Sequence, residues 1–150
     1  MERSTSLIKK IETVGMEEDI KAITQFLLKE YDPGVIMVAG MGGLGKTLLS
    51  QRLFHKVKAN FNHRVWVDVS QKFYVRLLLL DIGKWVGLDQ IDKKSSEEQL
   101  SVNIQKHVEG KSLLIVLDDL WSREAFDRIG LNAWEDKIKI IITTRENKIK

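Results

Sequence analysis

The 150-residue sequence contains no cysteine, which excludes disulfide bonds and thiol chemistry. It also lacks the run of about 20 apolar residues that a transmembrane helix needs, and its first ten residues lack the apolar stretch of a secretory signal. The net charge of +3, from 24 basic and 21 acidic residues, is too small to favour a nucleic-acid partner. These absences predict a cytoplasmic protein with no membrane partner and no specific nucleic-acid partner.

The apolar residues that are present follow two alternating patterns, which together predict an α/β fold. Three short apolar runs, at 35–39, 113–117 and 138–142, are typical of strands buried on both faces. The run at 64–69 alternates apolar and polar residues, which favours a strand at the edge of the sheet. Helical spacing predicts helices between these strands, one of them starting at a capping box, Ser95-x-x-Glu98. This order predicts a mostly parallel sheet with helices on both faces.

The segment between the first apolar strand and the next helix matches G-x-x-x-x-G-K-[ST] at every position. Its residues are Gly40, Met41, Gly42, Gly43, Leu44, Gly45, Lys46 and Thr47. Glycines let successive N–H groups point at phosphate oxygens, and the following helix turns its positive end to the same anion. A chance match in a chain of this length has a probability on the order of a per cent. We therefore predict a phosphate loop in which Lys46 contacts the β- and γ-phosphates and Thr47 binds Mg²⁺.

Two later apolar strands end in polar side chains that belong at the same rim, since ligands bind beyond the carboxyl ends of parallel strands. Asp118 and Asp119 follow the strand at 113–117; we predict that Asp118 binds Mg²⁺ and that Asp119 activates a water molecule. The alternative is that these aspartates cap a helix. Arg145 follows the last strand, and its guanidinium suits the γ-phosphate, although a surface arginine fits the pattern equally well.

Four segments, in this order and spacing, resemble the NB-ARC domain of plant intracellular immune receptors of the coiled-coil class. They are GMGGLGKT, HRVWVDVSQKF, LLIVLDDLW and IIITTR. The resemblance covers nearly the whole chain and implies a three-layer α/β/α P-loop NTPase core. It also implies a molecular switch that ADP holds closed and ATP opens, with oligomerisation on opening and slow hydrolysis as the return step.

The resemblance extends to further residues of the nucleotide site. It implies that the backbone of Val14 and Gly15 lies against adenine, that Arg145 senses the γ-phosphate, and that the bound cofactors are ADP or ATP with Mg²⁺. Leu48 stands at the site where the family commonly has a second threonine, and Met16 stands where it usually has arginine.

The family's fifth strand and its helical lid follow the point at which this sequence stops. We therefore expect a lead-in segment at 1–15, a partial NB-ARC domain at 16–150 and a sheet of about four strands. Without the fifth strand, the apolar strand at 35–39 would lie at an edge, which favours self-association.

Two functions remain open at this stage. The first is an ADP/ATP switch domain of a plant immune receptor in the defence response, with at most a weak Mg²⁺-dependent ATPase activity. The second is a non-enzymatic, truncated receptor fragment that binds nucleotide or a partner protein, such as another receptor of the family.

Overall fold

The computed structural model describes residues 8–29, 34–40, 42–69, 74–120, 123–130 and 138–144. In these residues the chain forms five strands and five α-helices. The strands are β1 (Ile8–Glu12), β2 (Val35–Ala39), β3 (His63–Asp68), β4 (Leu113–Leu120) and β5 (Ile138–Thr144). The helices are α1 (Met16–Leu28), α2 (Gly43–Lys56), α3 (Val75–Trp85), α4 (Glu97–His107) and α5 (Arg123–Ile129).

The strands form one sheet in the order β1-β2-β5-β4-β3, and every pairing is parallel. Alternate residues of the inner strands point to opposite faces, because side chains in a strand have a period of two. In β4, Ile115 and Leu117 pack with α3 and α4, whereas Leu114 and Val116 pack with α1 and α2. The sheet therefore lies between two helical layers, and the predicted α/β/α class is confirmed.

The strand β1 corrects the expected number of strands. It pairs with β2 along its whole length, from Ile8 beside Val35 to Glu12 beside Ala39. β2 therefore lies inside the sheet, and the expectation that it forms an apolar edge is wrong. The sequence of β1, IKKIE, contains two apolar residues that do not alternate. Its strand conformation follows from the backbone groups that β2 offers for pairing, and local periodicity does not reveal them.

At the opposite end of the sheet, β3 confirms the predicted edge strand. Val65 and Val67 are fully buried on the face that packs against α3 and α4, while Trp66 is half-buried on the face that packs against α1 and α2. The capping box of α4 is displaced by one residue: Ser96, and not Ser95, accepts a hydrogen bond from the Gln99 N–H at 3.0 Å. Ser96-x-x-Gln99 fits the same capping pattern, so the sequence alone does not separate the two registers.

The helices are short compared with the thickness of a bilayer. The longest of those described, α2, has 14 residues, and none of the described helices is long and apolar enough to cross a membrane.

Candidate functional site

The phosphate-loop segment follows β2, as the sequence predicts, and its last five residues form the start of α2. Gly40 has a φ of 99°, and a β-carbon there would lie 2.8 Å from the Thr13 Oγ1. Both the backbone conformation and the space require glycine at this position. Gly42 is the N-cap of α2 and Gly45 lies in its first turn, so the N-terminus of this helix faces the loop. Met41 lies outside the described residues.

Lys46 is the buried cation of this site. Only 3% of its surface is exposed, and its backbone N–H donates to the Gly42 carbonyl at 3.1 Å. Among the described residues, no hydrogen bond or ion pair involves its ammonium group. Burial of an unpaired charge is unfavourable, so an anion at the N-terminus of α2 would stabilise this lysine.

Asp118 is brought to the start of α2 by the pairing of β4 with the rest of the sheet. The Thr47 hydroxyl donates to the two oxygens of its carboxylate at 3.1 and 3.2 Å, and the Thr143 hydroxyl donates to Oδ1 at 2.6 Å. Burial raises the pKa of Asp118, and the negative charges of Asp68 and Asp119 add to this effect, while the two hydrogen bonds oppose it.

The chemistry of this cluster suits Mg²⁺. A hydroxyl and a carboxylate supply hard oxygen ligands, and a bound cation would offset the free-energy cost of burying the charged Asp118 carboxylate. Mg²⁺ is commonly held by one or two carboxylates together with substrate phosphates. The described part of the chain has no group of three or more histidine, cysteine or acidic side chains that could hold a metal by itself.

A β-bulge shapes the end of β4. Leu117 pairs with Ile142 and Leu120 pairs with Thr144, so three steps along β4 match two along β5. Asp119 lies in the bulge with a φ of 65°, and it is the one non-glycine residue with positive φ in the described ranges. Both aspartates are therefore inside a strand, which rules out the alternative that they cap a helix.

Thr143 connects the two aspartates, and the sequence did not assign it a role. Its hydroxyl accepts a hydrogen bond from the Asp119 N–H at 2.8 Å and donates to Asp118. The left-handed backbone at Asp119 is stabilised in part by this bond. The available signal was a threonine directly after the apolar run 138–142, but its hydrogen-bond partner depends on the register of β4 against β5.

Substitution of Thr143 by valine should lower the free energy of unfolding by about 1–3 kcal/mol, because the Asp119 N–H loses its acceptor and Asp118 loses a donor. Urea denaturation measures this difference. Thr143→Ser is the matched control, since it keeps the hydroxyl and should remain closer to the native chain. Equal stability of the valine and serine variants would contradict a stabilising role of the Thr143 hydroxyl in linking Asp118 and Asp119.

The Val14–Gly15 segment lies beside the phosphate loop because β1 ends there. The Thr13 N–H donates to the Ala39 carbonyl at 2.9 Å, and Val14 follows with 76% of its surface exposed. Leu44 and Leu48, in the first turns of α2, are also exposed. Exposed apolar side chains around a phosphate loop are suited to the flat face of a base. Arg145 lies outside the described residues, so its predicted role stays a prediction.

Comparison with known proteins gives the family. The NB-ARC domain matches residues 16–150. The chain belongs to the NB-ARC domain family. This confirms the resemblance found in the four sequence segments.

Relatives of this NB-ARC chain are plant proteins. Disease resistance protein RPP13 of Arabidopsis thaliana is 36% identical over 156 residues. ToMV resistance protein Tm-2(2) of Solanum lycopersicum is 32% identical over 143 residues. The alignments cover 97% and 92% of this chain but only 19% and 16% of the two relatives. The NB-ARC chain thus spans less than a fifth of their length.

Solved structures with a similar fold include the Aeropyrum pernix ORC1 protein, in a complex with DNA, at a TM-score of 0.65. Drosophila ORC bound to DNA has a TM-score of 0.62. Each is 15% identical, and the likeness covers 90% and 88% of this chain and 40% of each of those chains. At this identity the likeness concerns the fold alone.

Proposed function

We propose that this NB-ARC chain binds ADP or ATP with Mg²⁺ and serves as the nucleotide switch domain of a cytoplasmic plant immune receptor. The observation that carries the proposal is a buried Lys46, whose ammonium has no hydrogen bond or ion pair among the described residues, next to a Thr47–Asp118 contact of 3.1 Å at the start of α2. A cation without a partner favours phosphate, and the adjacent hydroxyl and carboxylate favour a divalent metal.

Each element of the site then has a separate task. The loop N–H groups and Lys46 hold the phosphates, while Thr47 and Asp118 hold the metal. When bound, Mg²⁺ neutralises charge on the β- and γ-phosphates. The exposed Val14 and the adjoining Gly15 receive the base.

Hydrolysis is the slow step that would return the switch to its ADP state. We assign the orientation of the attacking water to Asp119, which the bulge holds next to Asp118, and γ-phosphate sensing to Arg145. A carboxylate in this position accepts a hydrogen bond from water and directs it towards the phosphorus.

A non-enzymatic role is the second candidate. In that role the chain binds nucleotide, or another receptor of the family, without turnover. Where the second candidate binds nucleotide, it uses the same site as the switch and differs from it in phosphate release.

Calorimetric titration of the purified chain with ADP and ATP, with Mg²⁺ or EDTA, tests the proposal, together with phosphate release under single-turnover conditions. Mg²⁺-dependent binding of both nucleotides and slow phosphate release would support the switch. Binding without release would favour the non-enzymatic role. Absence of binding to either nucleotide would contradict the switch and would leave only the binding of another receptor from the second candidate.

A further inference from the structure

Asp19 is an almost completely buried carboxylate in the first turn of α1, with 2% of its surface exposed. It accepts hydrogen bonds from the Val14 N–H at 3.0 and 3.2 Å, one to each oxygen, and from the Gly15 N–H at 3.2 Å. The acidic residues immediately before it, Glu17 and Glu18, are exposed to solvent. The burial of Asp19 therefore reflects these specific contacts rather than the general acidity of the turn.

These contacts fix the backbone that leads into α1. The Asp19 N–H donates to the Gly15 carbonyl at 2.8 Å, so the segment and the helix are connected in both directions. The carboxylate also lies near the positive end of the helix, which stabilises its charge. Hydrogen bonds to a charged acceptor are stronger than neutral ones. The two residues before α1 are consequently held in one conformation, with Gly15 extended at φ 173° and ψ 142°.

The strand β1 fixes the position of Val14 and Gly15 relative to the phosphate loop. The Thr13 N–H bonds to the Ala39 carbonyl, and Gly40 approaches the Thr13 side chain closely. Beyond Thr13, the Val14 side chain is exposed, and no atom outside the adjoining residues lies within 4 Å of the place where a Gly15 β-carbon would stand. An apolar surface and open space thus lie next to the phosphate site.

We propose that Asp19 is a positioning residue that holds Val14 and Gly15 in the conformation that receives the nucleotide base. This inference rests on the proposed function. Asp19 contacts the entry to α1, whereas the phosphates are held by the loop and α2. It follows that Asp19 contributes to the part of the affinity that depends on the base, and leaves the part that depends on the phosphates unchanged.

A purely structural role as a helix cap makes a different prediction. Loss of a cap would lower stability, and it would weaken every ligand of the folded chain to the same extent. The ratio of two affinities, one for a ligand with a base and one for a ligand without it, separates these roles.

The test compares the affinities of ADP and pyrophosphate, both with Mg²⁺, for the full chain and for Asp19→Asn. The asparagine amide keeps the shape but replaces one acceptor oxygen with a donor. We expect ADP binding to weaken about tenfold and pyrophosphate binding to change less than about twofold. Glu18→Gln, which removes a charge from an exposed neighbour, should change neither affinity.

An unchanged ratio of the two affinities in Asp19→Asn would overturn the proposal, whatever happens to stability. Asp19→Glu, which keeps the charge but lengthens the side chain, supplies a second measurement of the same ratio if the asparagine variant does not fold. Equal affinities of the native chain for ADP and pyrophosphate would also overturn it, while leaving the phosphate site intact. Failure of the native chain to bind either ligand would instead contradict the proposed function.

Discussion

Replacement of Lys46 by alanine will abolish the thermal stabilisation by Mg–ADP and will raise the melting temperature of the nucleotide-free chain. The first effect follows from the proposed role of Lys46 as the cation that contacts the phosphates. A ligand at a hundred times its dissociation constant stabilises the native state by about 2.7 kcal/mol, which corresponds to several degrees in a domain of this size. The second effect follows because the substitution removes a buried charge that is unpaired among the described residues.

Thermal melting with and without Mg–ADP measures both effects. Lys56→Ala is the matched control, because Lys56 ends the same helix and is exposed. The control should retain the ligand-dependent shift. A normal shift in Lys46→Ala would contradict the phosphate role, and a strong loss of stability without nucleotide would show that the ammonium has a structural partner.

Asp118→Asn is expected to separate metal binding from stability. Asparagine keeps an oxygen that can accept from Thr47 or Thr143, but it lacks the charge that attracts Mg²⁺. The stabilisation by ADP should therefore become the same in Mg²⁺ and in EDTA. The nucleotide-free variant should melt at a higher temperature than the native chain at neutral pH, since it avoids the burial of a carboxylate.

The pH dependence of this difference has a definite sign. Burial raises the pKa of Asp118 above 3.8, so the folded chain retains the proton to higher pH than the unfolded chain. The native chain thus loses stability relative to Asp118→Asn as the pH rises from 3.8 through the folded pKa, and the difference is constant above it. Melting curves from pH 3 to 8 measure it, with exposed Asp89→Asn as the control. A difference that grows as the pH falls would contradict the assignment.

The features that sequence predicted well are those with local signals. The phosphate loop is recognised from the spacing of glycines, lysine and threonine within eight consecutive residues. The apolar runs of β2, β4 and β5 identify strands that are buried on both faces. From the order of these elements, the proximity of Thr47 and Asp118 follows, since parallel strands place their carboxyl ends at one rim.

The features that sequence missed depend on pairing between distant segments. The bond from Thr143 to Asp118 requires the bulge in β4, and the positive φ of Asp119 is unexpected for aspartate in a strand. The role of Asp19 is hidden for a related reason. An aspartate in the first turn of a helix is favourable in any exposed helix, so its sequence position does not reveal that it is buried against Val14 and Gly15.

The strand β1 has a practical consequence for anyone who produces this domain. The family match begins at residue 16, whereas the sheet begins at Ile8. A recombinant chain that starts at Met16 would retain every residue of the family match. It would still leave the backbone N–H and C=O groups on one side of the apolar strand β2 unpaired, which promotes aggregation. It would also remove the Thr13 contact with Gly40, so poor solubility and weak nucleotide binding would arise together. In the native chain, β1 lies beside β2, and its charged residues Lys9, Lys10 and Glu12 make this edge strand polar.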